Sequence, residues 1–187
     1  MRVRIRRPLD FLVIADHAEG LGLAYELRAG NEALLNSPTG QAMQAAWEVF
    51  EKDPTSRPAI LDFRASYRGP LPAAVGRSIW RQVIDRAEAH NDPGEFTTLI
   101  GYEWTSAGAT PGRRGNLHRV VVFGDGADKV GEVQPFSAYD SPNPEDLWAH
   151  LKRYKEATGG DVIAIPHNSN LSNCLLYTSD AADELLG

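Results

Sequence analysis

Apolar positions along the chain follow two rhythms. Short, nearly continuous apolar runs at 9–15, 96–101, 117–123 and 161–166 are bounded by polar or glycine-containing stretches and read as strands. Between them the spacing changes to about 3.6 residues, the period of a helix with one buried face. Val75, Ile79, Val83 and Ala87 share a face along 73–89, and Met43, Ala46, Trp47 and Phe50 do so in a helix that opens at Ser37-Pro38-Thr39 and runs through Glu51. Asn143-Pro144-Glu145-Asp146 combines an Asn cap, proline at the first helical position and acids in the first turn. That helix carries Leu147, Leu151 and Tyr154 inward and stops at Gly159-Gly160. A shorter helix is expected over 23–29, ended by Gly30-Asn31, and Asp53-Pro54-Thr55-Ser56-Arg57-Pro58 is expected to break the chain.

Strands alternating with helices predict an α/β fold with a mostly parallel sheet. The 9–15 run has no polar alternation, which is the pattern of a strand buried on both faces. One connection departs from this scheme. Residues 106–115 hold three glycines, a proline and Arg113-Arg114 but no helical pattern, and a parallel crossover usually needs a dozen or more residues. A hairpin-like excursion follows, and it sets Glu103 and His118 at the same end of the sheet.

The strand ends carry the chemistry. His17, His118 and His167 stand there with Asp16, Glu19 and Glu103. Imidazole and carboxylate donors together suit Zn, Mn or Fe, and a catalytic site needs fewer protein ligands than a closed structural one. Taken singly, each histidine is equally well explained as a hydrogen-bonded core or loop residue. His90, in the last turn of the 73–89 helix, suits the helix dipole and reads as structural, and His150 reads as a surface residue.

Composition changes this picture in three places. A chain of 187 residues, 42% hydrophobic and 24% charged, suits one domain or part of one. Its net charge of −6 argues against a nucleic-acid surface, no apolar run reaches membrane-spanning length, and the basic start Arg2, Arg4, Arg6 and Arg7 has no long apolar segment behind it to make a signal peptide. The expected partner is therefore a small-molecule substrate, with no nucleic acid and no membrane. The single cysteine, Cys174, cannot form an internal disulfide, and it opens a stretch, Cys174-Leu175-Leu176-Tyr177-Thr178-Ser179-Asp180-Ala181-Ala182-Asp183, that resembles the translation of a transposon-type sequencing adapter. The expected division is a domain over 1–173 and a non-native tail over 174–187.

Four ordered motifs carry a family resemblance. Asp16-His17-Ala18-Glu19, Gly101-Tyr102-Glu103-Trp104-Thr105-Ser106, Gly115-Asn116-Leu117-His118-Arg119 and Pro166-His167-Asn168 together resemble the PHP (polymerase and histidinol phosphatase) superfamily, in its bacterial branch called domain of unknown function 3604. The resemblance implies a distorted (β/α)7 barrel with up to three divalent ions, Zn, Mn or Fe, at its mouth, and hydrolysis of phosphoesters. It implies that His17 is a metal ligand with Asp16 beside it as ligand or supporting partner, and that Glu103 bridges two ions. His118 and His167 would complete the second site, and Glu103, His118 and His167 would be the catalytic group. Arg113 and Arg114 are candidates to clamp a phosphate, against the plainer reading of exposed loop arginines, and Asn168 and Asn170 are candidates to orient ligands or substrate.

The family's opening His-x-His and closing Asp-x-His motifs are not found in the chain. The expectation is thus a partial PHP-type barrel lacking its first and last strands, cut from a longer metal-dependent hydrolase and inactive by itself. The alternatives are a metallohydrolase of non-phosphate esters or amides, and an inert fragment or metal-binding module.

Overall fold

The computed structural model describes residues 7–66, 72–107 and 116–167, with only the backbone described at Arg64, Ala107 and Asn116. In chain order the elements are β1 (Phe11–Val13), α1 (Leu23–Arg28), α2 (Glu32–Leu35), α3 (Pro38–Lys52), α4 (Arg57–Ser66), α5 (Ala73–His90), β2 (Thr97–Leu99), β3 (Gly101–Ala107), β4 (Asn116–Phe123), α6 (Ala127–Val130), α7 (Pro144–Thr158) and β5 (Val162–His167). The fold is mixed α/β. Its strands form two small sheets and no closed barrel among the described residues.

Local chemistry sets the helix limits. The Ser37 side chain accepts the Gly40 N–H at 3.0 Å at the start of α3, and Asn143 does the same for Glu145 at the start of α7. Gly159 ends α7 at φ 61°, a left-handed conformation that favours glycine. The segment expected to interrupt the chain at 53–58 instead leads into α4. Pro58 is the second residue of that helix, in the first turn, where its missing N–H has no intrahelical partner to lose.

The sheet also corrects the sequence reading. β1 pairs with β2 in parallel, but β3, β4 and β5 form an antiparallel sheet in that order. β2 and β3 are nearly continuous, and the Phe11↔Thr97 register of β1 with β2 is preserved in an isolated parallel bridge between His17 and Glu103. The Glu103 N–H donates to the Asp16 carbonyl and the Ala18 N–H to the Glu103 carbonyl, both at 2.8 Å. The strands therefore lie in the order β1, β2/β3, β4, β5, with β4 alone running against the others. Gly101 allows this junction, because a Cβ there would lie 2.6 Å from the Val121 carbonyl oxygen and 2.8 Å from Val13 Cγ2.

Alternation gives the antiparallel sheet two unlike faces. Tyr102, Trp104, Val121, Phe123, Val162 and Ala164 point into the core, where α5 and α7 cover them. Trp80 of α5 meets the Tyr102 ring edge-on at 6.0 Å, and Tyr154 of α7 meets Phe123 at 4.9 Å. Each large apolar side chain buried in this way contributes roughly 1.5–3 kcal/mol. The second face carries Glu103, Thr105, His118, Val120, Val122, Ile163, Ile165 and His167, and no helix covers it among the described residues. Ile163 and Ile165 stay 51% and 46% exposed, and Phe11 on β1 is 63% exposed. The apolar run at 9–15 is thus a short edge strand rather than one buried on both faces. Hydrophobicity alone cannot say whether a covering layer is present.

His150, expected at the surface, is half-buried and stacked on Phe136 with ring centroids 4.9 Å apart. Burial, helped by nearby Arg153, holds its pKa below the usual histidine value. His90 closes α5 with Nδ1 2.8 Å from the Arg86 carbonyl oxygen, as a helix-end histidine would.

Candidate metal centre

Register brings the chemistry-bearing residues into one row across four strands. His17 is bridged to Glu103, Thr105 lies two residues beyond Glu103 on the same face, Thr105 pairs directly with His118, and His118 pairs directly with His167. Side chains at directly paired positions of adjacent strands share a face, so the row converges on the uncovered side of the sheet. A shift of one residue in any of these pairings would send its ligand to the core.

Glu103 sits at the middle of the row and is only 7% exposed. Its Oε1 lies 2.5 Å from His118 Nδ1 and 3.7 Å from His17 Nδ1, while Oε2 lies 3.9 Å from His167 Nε2. The rings of His17 and His167 flank that of His118 edge-on, at 5.8 and 5.9 Å between centroids. His17, Glu103 and His118 each offer a ligand atom within 4.8 Å of the others, a spacing that can hold a metal ion. The donor set fits a divalent ion of the Zn, Mn or Fe kind, since two imidazoles and a carboxylate supply borderline nitrogen and anionic oxygen and leave room for further ligands. His167 stands at the edge of this group and is about half-exposed.

Other residues singled out from the sequence fall elsewhere. The Asp16 side chain is exposed and outside the group, and only its carbonyl takes part, through the Glu103 N–H. Glu103 lies within β3 rather than at a strand exit, because the strand continues to Ala107. Arg113, Arg114, Asn168 and Asn170 lie outside the described residues, as does the 174–187 stretch.

Two further residues belong to the setting. Thr105 Oγ1 lies 2.7 Å from His17 Nδ1, 3.0 Å from His118 Nδ1 and 3.1 Å from Glu103 Oε1, touching three of the four row members. Its place could have been read from the two-residue step between Glu103 and Thr105, which puts both on one face of a strand. Glu19 takes over the ladder where the backbone after His17 turns away: its Oε1 accepts the N–H groups of Thr105 at 3.3 Å and Ala138 at 2.7 Å. Burial pushes the Glu19 carboxyl above its ordinary pKa, against the pull of those two donors. Position 19 stands to 105 as 17 does to 103, so the carboxylate occupies the place that a continuing strand would have filled.

A family model described as a protein of unknown function, DUF3604, matches residues 1–185. Neither the curated proteins nor the solved structures gave a match. Among the described residues no helix is long and apolar enough to cross a membrane.

Proposed function

The chain belongs to the DUF3604 family, and from that premise and the row of ligand-type side chains we propose that it carries part of the metal centre of a hydrolase. The observation that carries the reading is the convergence of His17, Glu103 and His118, from three separate segments, within 4.8 Å on the face of the sheet turned away from the core. His17, Glu103 and His118 would hold the ion, with His167 turning in from β5 to join Glu103. A bound Zn, Mn or Fe ion supplies Lewis acidity, which brings the pKa of water toward neutrality and stabilises negative charge on an ester oxygen.

The protein's own residues do the rest. Glu103, buried between imidazoles, keeps its two oxygens aimed at different neighbours, Oε1 at His17 and His118 and Oε2 at His167. The uncovered face gives a small molecule access from one side, while the Tyr102 and Trp104 side of the sheet is sealed by the core. The PHP resemblance makes phosphoesters the substrate class, and the partly apolar face turned away from the core would serve as an interior wall of a PHP-type barrel. The arginines and asparagines at 113, 114, 168 and 170 remain the proposed substrate contacts.

Elemental analysis of the purified chain, beside a Glu103→Ala, His118→Ala, His167→Ala variant, tests the reading. Bound Zn, Mn or Fe that is lost in the variant supports the centre. A folded wild-type chain with no more metal than the variant refutes it.

A further inference from the structure

Thr105 touches three of the four row members through a side chain that does not ionise, and its geometry is more demanding than that of a residue merely filling space. A hydroxyl has one proton to give and two lone pairs to offer. Three partners lie within hydrogen-bond distance of Oγ1: the Nδ1 atoms of His17 and His118 and the Glu103 carboxylate, which accepts the hydroxyl proton. His118 Nδ1 also lies 2.5 Å from Glu103 Oε1, so the same ring nitrogen faces both the carboxylate and the hydroxyl.

Thr105 itself is held from two sides. Its main chain pairs with His118 in the β3–β4 ladder, and its N–H is accepted by Glu19, whose other anchor is the Ala138 N–H. Oγ1 is therefore set by the backbone rather than by the side chains it orients.

We propose that Thr105 is the positioning residue of the metal centre: its hydroxyl orients His17 and His118 against Glu103 so that the group is ready for a divalent cation before one arrives. This rests on the metal-centre reading above. Hydrogen bonds from beyond the ligand shell fix imidazole orientation, and their loss typically weakens metal affinity by about 10–100-fold.

Calorimetric titration of the full chain with Zn²⁺ alone, using wild type, Thr105→Val and Thr105→Ser, separates the outcomes. Valine keeps the branched shape without the hydroxyl, and serine keeps the hydroxyl without the methyl group. The expected result is a ~10–100-fold weaker Zn²⁺ affinity in Thr105→Val, restored to near the wild-type value in Thr105→Ser. The visible spectrum of the cobalt(II)-loaded proteins should change in Thr105→Val and return in Thr105→Ser. Equal affinity in wild type and Thr105→Val overturns this inference and leaves the metal centre standing, as does a Thr105→Ser as weak as Thr105→Val. A folded wild type that binds no Zn²⁺ overturns both. If Thr105→Val does not fold, Thr105→Ala removes the same hydroxyl without adding bulk and decides between the same results.

Discussion

Strand β4 has a carboxylate cluster near each end, and the two are built on opposite plans. Beyond Phe123, Asp125 gathers the Lys129 ammonium at 2.7 Å, the Tyr154 hydroxyl at 2.9 Å and the Asp161 N–H at 2.6 Å. Every partner there is a donor, one of them carries the balancing charge, and the cluster ties α6, α7 and the entry to β5 together. At the other end, Glu103 gathers His17, His118 and His167, groups that carry lone pairs as well as protons and come from three strands or strand ends. The first cluster is complete in itself and acts as a strut. The second has spare coordinating capacity on a face that no helix covers among the described residues, which is what a binding site needs and a strut does not.

That contrast can be broken by substitution. The largest effect is expected for Glu103→Gln, which removes the anionic oxygens at the middle of the row. Zn²⁺ affinity should fall by more than the ~100-fold upper range of a supporting-partner loss, while the urea midpoint stays within the span of about 1 kcal/mol set by one hydrogen bond. Asp125→Ala should do the reverse, costing about 1.5–3 kcal/mol of stability, as expected for hydrogen bonds to a charged group, and leaving Zn²⁺ affinity unchanged. A loss of metal binding in Asp125→Ala with the fold intact would erase the distinction between the clusters.

Acid sharpens the same comparison. Burial raises the Asp125 carboxyl, but the Lys129 ammonium, the Asp161 N–H and the Tyr154 hydroxyl outweigh it and hold the pKa below the ordinary value of 3.8. A carboxylate depressed on folding contributes stability that is full above its unfolded pKa and is lost as pH falls through its folded one. Urea midpoints of wild type and Asp125→Asn should therefore differ at pH 7, with wild type the more stable, and converge below pH ~4. The smallest effect belongs to the uncovered face. Ile165→Thr, at a side chain 46% exposed, should stay within about 0.5 kcal/mol of wild type in the same assay.

What could be read from the sequence was what local chemistry decides. The Asn143 cap, Pro144 and Gly159 bound α7 where expected, and the short link at 106–115 implied the β3–β4 hairpin that brings Glu103 to His118. Pro58 misled because proline stops a helix from within but starts one from its first turn. The 9–15 run showed a strand but not its exposure, which depends on what lies beside it. The direction of β4 relative to β5 was hidden for a similar reason: the connection through α6 and α7 is long enough for either sense. Three candidate ligands converge because their segments pair side by side in register, and the exposed Asp16 side chain lies outside that group. Thr105 was overlooked because a hydroxyl is not a ligand type, although alternation from Glu103 pointed to it.

The row's members sit at positions 17, 103, 118 and 167, so apart from the hairpin that joins Glu103 to His118, every pairing behind it closes a long loop. Long-range pairings are the slow contacts of folding. A cation seated in the row would add its binding free energy to the folded state alone. It would also slow amide hydrogen exchange on all four strands together, so that regions far apart in sequence open as one unit.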